Sequence, residues 1–280
     1  MKHSSGIIVQ IQTAYHRLTK TEKKVADYVL AHPSEVLYMS ITELADVCEV
    51  GETSVYRFCR TLQLQGYQEF KMKLSLGMDE ADMEEVTETA EENSLLTEVR
   101  DVHINAITQS SLLLQAEAVE AMIDEMERAR RVIFVGVGDS QLTAKEARNK
   151  FLRVTRHVTC FSDPHMQAMA ASLTGPEDLV IFISFSGATK DNIYVAKEAK
   201  RAGARIGCIT HFKKSPLTNY ADVTLLSGGE DTPLENGSLA VKIGQLYVID
   251  VLFRAYYQRN YRQCRENSKK TTGAVVEKLF

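Results

Sequence analysis

Five short apolar segments alternate with stretches of helical periodicity between residues 131 and 280, and this alternation restricts the fold more than any other feature. The segments are rich in Val, Ile, Phe and Leu and comprise Arg131–Val135, His157–Phe161, Leu179–Ser184, Arg205–Thr210 and Asp222–Ser227. Alternating strands and helices form parallel sheets, because right-handed crossover connections lay helices on both faces. We therefore predict a doubly wound, five-stranded parallel α/β domain.

The first 77 residues carry the signals of short helices instead. Thr19-Lys20-Thr21-Glu22 and Ser40-Ile41-Thr42-Glu43 both have the spacing of a capping box, in which the hydroxyl and the carboxylate each accept a free backbone N–H group. Met39 and Leu44 are spaced as a hydrophobic staple, and Pro33 is expected to end the first helix. This part of the chain is predicted to be all-helical.

Charge divides the chain into three parts. The net charge is −4, but residues 78–130 hold 15 Asp/Glu against 3 Lys/Arg, and both flanking parts are slightly basic. The stretch that begins Met78-Asp79-Glu80 is too poor in apolar residues to pack. We predict a helical domain at 1–77, an acidic linker at 78–93, and a ligand-binding domain with leading helices at 94–280.

Several classes of protein are disfavoured by what the sequence lacks. The five cysteines lie far apart, no Cys or His spacing suits a zinc site, and no apolar run approaches the roughly 18–20 residues that span a bilayer. The cysteines are therefore expected to be reduced packing residues. We predict a cytoplasmic protein without metal, cofactor, catalytic residues or membrane contact.

A helix, a tight turn and a second helix are predicted across residues 41–62. Ile41–Val47 forms the first helix and Thr53–Leu62 the second. The second helix places a core stripe on one face, made of Val55, Phe58, Cys59 and Leu62, and an opposite face that carries Thr53, Ser54, Tyr56, Arg57 and Arg60. Hydroxyl and guanidinium groups at a helix N-terminus suit base edges and phosphates in the major groove of DNA. The alternative is a small helical bundle whose polar face is merely solvated.

Two loops that follow predicted strands have the composition of anion sites. Gly136-Val137-Gly138-Asp139-Ser140 and Ser184-Phe185-Ser186-Gly187-Ala188-Thr189 both lead from a strand into a helix, where backbone N–H groups and the helix dipole attract an anion. Thr143 stands where a dinucleotide fingerprint needs glycine, so dinucleotide binding loses support. The ligand-binding residues predicted here are Gly138, Ser140, Ser184, Ser186, Gly187 and Thr189. A phosphate monoester suits these hydroxyls, and Asp139 is expected to point outward.

Three further groups are weaker candidates for the same site. Glu235 and Lys242 flank the start of a predicted helix and are included as ligand-binding residues, although Glu235 is equally consistent with a solvated glutamate. Asp163-Pro164-His165 follows a strand end, but a proline turn with a solvated histidine is the more ordinary interpretation.

The N-terminal motifs resemble one family of bacterial regulators. Ser40–Ala45, Thr53-Ser54-Val55-Tyr56-Arg57-Phe58-Cys59-Arg60 and Gly66-Tyr67-Gln68-Glu69-Phe70-Lys71 are similar, in that order, to the helix-turn-helix domain of the RpiR/MurR family. Gly51 departs from the serine usual at the cap of the recognition helix, so we expect a slightly weaker helix start.

Residues 110–270 resemble the sugar isomerase (SIS) domain that usually accompanies such an N-terminus. The resemblance implies that Ser140, Ser184, Ser186 and Thr189 bind a phosphate. It also implies a transcription regulator that binds operator DNA and is controlled by a phosphorylated sugar. Since SIS domains also occur in enzymes, a sugar-phosphate isomerase or lyase remains the alternative. Helix-turn-helix regulators usually bind two half-sites, so a homodimer or homotetramer is expected.

Overall fold

The computed structural model describes residues 6–82, 92–229 and 238–276. These residues divide into two compact units, the first with 6–82, 92–100 and 238 and the second with 101–229 and 239–276. The two units are described separately below.

The first unit is helical in its described part, as the capping signals predict. Its elements are α1 (Gly6–Ala14), a 3-10 turn (Tyr15–Arg17), α2 (Lys20–Ala31), α3 (Pro33–Leu37), α4 (Ile41–Val47), α5 (Glu52–Thr61) and α6 (Tyr67–Asp82). Both capping boxes form, at Thr19 with Glu22 and at Ser40 with Glu43. Helix α2 ends at Ala31, and after His32 the next helix begins with Pro33. A proline at the first helical position loses no hydrogen bond, because the N–H group there has no partner within the helix.

The core of this unit is built around the second helix of the predicted pair. Val55, Phe58, Cys59 and Leu62 are buried, which confirms the predicted stripe. Phe58 meets Phe70 of α6 edge to face at a centroid distance of 5.5 Å. Aromatic pairs in this geometry add to the stabilisation from burial. The polar face of α5 is thereby turned away from the core.

The acidic segment predicted as a linker is helical at both ends. Helix α6 continues through residues 78–82, and the next helix, α7 (Glu92–Leu113), includes residues 92 and 93. Glu, Met and Ala are good helix formers. The helix therefore continues past the point where apolar residues become scarce. Residues 83–91 lie outside the described residues, and the linker assignment stays a prediction.

The second unit contains the predicted five-stranded parallel sheet. After α8 (Ala116–Arg128) the elements are β1 (Arg131–Val135), α9 (Asp139–Leu152), β2 (Val158–Cys160), α10 (Pro164–Ser172), β3 (Asp178–Ile183), α11 (Lys190–Arg201), β4 (Arg205–Thr210), β5 (Val223–Leu226), α12 (Leu239–Arg259) and α13 (Tyr261–Val276). The strand order is β2-β1-β3-β4-β5, and every pairing is parallel. Strands β2 and β5 are each one residue shorter at both ends than predicted.

Both faces of the sheet are covered by helices. Phe134 and Ile181 pack on one side with Phe151 of α9, while Val180 and Phe182 pack on the other with α11. Consecutive residues of β1 and β3 alternate between these two cores, so after its first residue each of these two strands is apolar. This double burial explains why the strands read as continuous apolar segments.

Four of the five cysteines are buried, and Cys160 is partly buried. Every cysteine is free, and Cys208 lies in the sheet core, where burial raises the pKa of its thiol to about 12. Among the described helices, none has the length and apolarity needed to cross a bilayer. In the described part of the chain, no group of Cys, His, Asp and Glu is arranged to hold a metal ion.

Candidate functional site

The two glycine-containing loops meet at the point where the strand order reverses. Strand β1 lies between β2 and β3, so the chain leaves β1 toward one side of the sheet and returns to the other side at β3. Open parallel sheets bind ligands at the carboxyl ends of the strands beside such a reversal. Gly136–Ser140 follows β1 and Ser184–Thr189 follows β3, so both candidate loops lie at this edge.

The loop after β1 depends on a glycine backbone. Gly138 has φ +60° and ψ −131°, a conformation that is essentially restricted to glycine, and it is the N-cap residue of α9. Ser140 lies in the first turn of α9 and is half-buried. The free N–H groups of this helix start therefore face the region where an anion is expected.

The loop after β3 is packed more tightly. Gly187 has φ +58°, and a Cβ atom there would lie 2.1 Å from Oγ of Ser215. Ser184 is buried, and the Ser186 hydroxyl accepts a hydrogen bond of 3.2 Å from the N–H group of Ala188. Thr189 is the N-cap residue of α11, and its side chain makes no capping hydrogen bond.

Hydroxyl groups in these loops remain available to a ligand. Within the described part of the chain, no hydrogen bond engages the side chains of Ser140, Ser184 or Thr189. Such groups can donate to phosphate oxygens without giving up a bond inside the protein. Two helix N-termini and these hydroxyls thus lie at the same edge of the sheet, and the prediction that they bind an anion is chemically consistent with this placement.

An ion pair borders the loop after β1. Nζ of Lys242 lies 3.2 Å from Oδ1 of Asp139, whose side chain is about half exposed (51%). The expected outward orientation of Asp139 agrees with this exposure, and its charge is compensated by a residue of α12. Lys242 therefore lies beside the predicted site, although its role in ligand contact stays a prediction. Glu235 lies outside the described residues.

The structure places one further group of side chains at this edge that sequence reasoning did not select. His211 follows β4, and its ring stacks on Phe185 at 4.8 Å and contacts Phe212 at 4.9 Å. Nδ1 of His211 lies 3.0 Å from the carbonyl oxygen of Ser227, which follows β5. The rule that ligands bind at strand ends could have found His211, since Thr210 ends a predicted strand.

A buried glutamine fixes the loop after β1 from the α10 side. Nε2 of Gln167 lies 2.9 Å from the carbonyl oxygen of Gly136 and 2.8 Å from that of Phe161. Asp163 caps the start of α10 by accepting a bond of 3.0 Å from the N–H group of Met166. Asp163 and Pro164 therefore begin a helix, and His165 is exposed on its first turn.

The helix-turn-helix pair is formed by α4 and α5. Between them Glu49 has φ +52°, and Gly51 caps α5 without a side-chain bond, as expected for glycine. The predicted DNA-binding residues share one side of α5: Thr53, Tyr56, Arg57 and Arg60 are exposed, and Ser54 is half-buried. Helix α5 begins at Glu52, one residue before the predicted start.

Arg60 differs from its neighbours on this face. Its Nη1 donates a hydrogen bond of 3.2 Å to the carbonyl oxygen of Leu64, which lies beyond the end of α5. The side chain thus also satisfies one of the free carbonyl groups that follow a helix. For Arg57 no direct hydrogen bond or ion pair is found with any described residue.

Comparison with known proteins assigns both units. Residues 5–80 match the helix-turn-helix domain of the rpiR family, and residues 125–255 match the SIS domain. An HTH-type transcriptional regulator of Haemophilus influenzae is 32% identical over 284 residues, which cover 99% of each chain. This chain belongs to the RpiR family of transcriptional regulators. Its two domains are thus a DNA-binding domain and a SIS domain, as the resemblance in sequence implied.

One further relative and one solved structure extend the comparison. The bifunctional protein glk of Burkholderia thailandensis is 32% identical over 254 residues, which cover 89% of this regulator and 39% of that protein. The structure of the Vibrio vulnificus NanR protein complexed with ManNAc-6P has a TM-score of 0.88 and 23% identity, and covers 98% of this regulator and 100% of that chain. At this identity the likeness to NanR establishes the fold of the RpiR-family chain.

Proposed function

We propose that a phosphorylated sugar binds between the loops after β1 and β3 and changes the affinity of this regulator for operator DNA. The observation that carries the proposal is the meeting of two helix N-termini and the hydroxyls of Ser140, Ser184 and Thr189 at the reversal point of the sheet. The description of NanR as complexed with ManNAc-6P makes that compound the first ligand to test.

The proposal assigns sensing rather than catalysis to the SIS domain. Isomerisation of a sugar requires a general base beside C1 or C2 and an acid to open the ring. Of the described ionisable groups at this edge, Asp139 and Lys242 are paired with each other, and Nδ1 of His211 is directed at Ser227. A helix-turn-helix domain also has no use in an isomerase. Because some SIS proteins are enzymes, turnover of the sugar is also tested.

We also propose that the regulator acts as a homodimer or homotetramer. Several large apolar side chains along α7 are exposed, namely Leu95, Leu96, Val99, Val102, Ile104, Ile107 and Leu112. Apolar surface of this extent is uncommon on a helix that stays in water, and association would cover it. Light scattering at micromolar concentration should give a multiple of 31.4 kDa, and a monomer would count against the proposal.

The ligand proposal is tested by calorimetric titration of a panel of sugar phosphates that begins with ManNAc-6P. The double variant Ser184→Ala/Ser186→Ala should bind the best ligand about a hundredfold more weakly, because each lost hydrogen bond to a charged group is worth about 1.5–3 kcal/mol. Ser172→Ala is the control, since Ser172 is exposed at the far end of α10 and its hydroxyl donates to the carbonyl oxygen of Met169 in the same helix. Equal binding by the double variant and the control would contradict the site. Conversion of the sugar during incubation would favour the isomerase instead.

A further inference from the structure

A group of basic side chains lies at the edge of the sheet opposite the loops after β1 and β3, which are called the phosphosugar loops below. Arg130 and Arg131 stand at the start of β1, and Arg156 and His157 immediately precede β2. The two strand starts are adjacent, because the N–H group of Val132 donates a bond of 2.7 Å to the carbonyl oxygen of His157. The topology thus brings four basic residues from two sequence segments to one place.

These side chains line an open cavity at the surface of the domain. Its lining consists of Arg130, Arg131, Arg156, His157 and Thr159, and its volume is about 450 Å³. Cavities of about 300–1,000 Å³ are typical of sites for small molecules. A phosphate-sized anion, or a compound that carries one, fits within this volume.

Positive charge exceeds negative charge in the cavity. Asp178 is buried and lies 3.1 Å from Arg131 and 3.7 Å from Arg130. Arg156 has no hydrogen bond or ion pair with any residue that the structure describes. Three guanidinium groups against one carboxylate leave a surplus of two positive charges, before any contribution from His157.

A buried donor at the cavity also lacks an acceptor. Nε of Arg131 is buried and makes no hydrogen bond in the described part of the molecule. Unsatisfied buried N–H groups are rare because each forfeits its hydration, and in native structures they commonly indicate an absent partner. The surplus charge and this donor are separate observations, and each favours an anion at this place.

We propose that this cavity is a second anion site, which binds a small phosphate compound that carries at least two negative charges. Guanidinium groups hold phosphate through paired N–H donors, and Arg130 and Arg156 are free to turn toward such a ligand because both are largely exposed. The site lies at the amino ends of the strands, so it can be filled while the phosphosugar loops are also filled. The proposal does not depend on the proposed function of those loops.

The probe for this site is pyrophosphate, titrated into the full chain at low ionic strength. Arg130→Gln/Arg156→Gln should weaken binding at least tenfold and leave the fold intact, since Arg131 retains its bond to Asp178. The control is Lys197→Gln, which removes a positive charge from the exposed side of α11 and should change the affinity less than twofold. Pyrophosphate binding at this site should persist in Ser184→Ala/Ser186→Ala.

Three results would overturn the proposal. They are absence of pyrophosphate binding by the wild-type chain at millimolar concentration, equal binding by the arginine variant and the Lys197→Gln control, and loss of all binding in Ser184→Ala/Ser186→Ala. A separate arm uses duplex DNA of random sequence. If Arg130→Gln/Arg156→Gln weakens only the binding of duplex DNA and reduces its salt dependence, the basic residues contact the DNA backbone and do not form a small-anion site.

Discussion

The ammonium group of Lys242 on α12 lies 3.2 Å from the carboxylate of Asp139, the first residue of α9. The two residues are 103 positions apart, and their pairing neutralises a negative charge beside the loop that is proposed to hold phosphate. Without Lys242, Asp139 would repel a phosphate ligand. The pair therefore affects the ligand site even if neither side chain touches the sugar.

Lys242→Gln should accordingly weaken phosphosugar binding about three- to tenfold, in keeping with the modest energy of partly exposed charge pairs. Adding Asp139→Asn should restore most of the lost affinity, because the uncompensated charge is removed. Calorimetric titration of the wild type, both single variants and the double variant gives the coupling directly. A double variant as weak as Lys242→Gln would show that Lys242 acts on the sugar itself.

Gly187→Ala should abolish ligand binding and lower stability. Alanine is strained at φ +58°, and its Cβ would overlap Oγ of Ser215, so the loop after β3 must move. We expect a loss of at least about 2 kcal/mol in unfolding free energy, measured by urea denaturation. The matched control is Gly273→Ala on α13, where nothing lies within 4 Å of the new Cβ. The unfolding free energy of Gly273→Ala should stay the same or increase. A Gly187→Ala protein that is as stable as this control would contradict the close packing of Gly187 against Ser215.

Arg57→Ala and Arg60→Ala should separate DNA binding from stability. Loss of a bidentate base contact costs about 1–3 kcal/mol, so each variant should weaken binding to an operator selected from random duplex DNA. Arg60→Ala should lower the unfolding free energy more than Arg57→Ala, by about 1 kcal/mol, because it leaves the Leu64 carbonyl without its donor. Lys197→Ala provides the control for loss of one positive charge. Unchanged operator affinity in Arg57→Ala would reject the placement of α5 against DNA.

Glu22 should make the helical unit sensitive to acid. Burial acts to raise the pKa of its carboxyl, but hydrogen bonds from Thr19 and Thr61 and the charge of Arg57 outweigh it, so the pKa lies below its ordinary value. A lowered pKa in the folded state adds stability that is complete above the unfolded value of about 4.3 and disappears as the pH falls through the folded value. The stability difference between wild type and Glu22→Gln should therefore shrink between pH 7 and pH 3.

Thr61→Val tests the cause of that shift, because its hydroxyl donates a 3.0 Å hydrogen bond to Glu22. In the Thr61→Val background the pH dependence of the Glu22→Gln effect should be smaller. Urea midpoints at several pH values measure both differences. A Glu22→Gln effect that is constant from pH 7 to pH 3 would contradict the assigned direction of the pKa.

The local elements, and the parallel sheet that their alternation implies, were predicted from the sequence, but particular contacts between distant side chains were not. The capping box of Ser40 and Glu43 spans four residues, and the apolar strand β1 is specified by its own composition. By contrast, the Lys242–Asp139 pair and the stack of Phe185 on His211 form only once the sheet has assembled. The sequence analysis did not predict that α6 extends into the acidic segment, because low apolar content was taken as the end of the helix. The high helix propensity of the residues in this segment continues the helix instead.

We propose that ligand binding at the loops after β1 and β3 is coupled to DNA binding by α5. The direct measurement is the operator affinity of the full chain with and without its best phosphosugar, together with the sugar affinity with and without operator. Thermodynamic linkage requires the two ratios to be equal, and typical couplings change affinity about 5- to 150-fold. We predict equal ratios that differ from one in the wild type and equal one in Ser184→Ala/Ser186→Ala. An operator affinity that saturating phosphosugar leaves unchanged in the wild type would rule out this coupling.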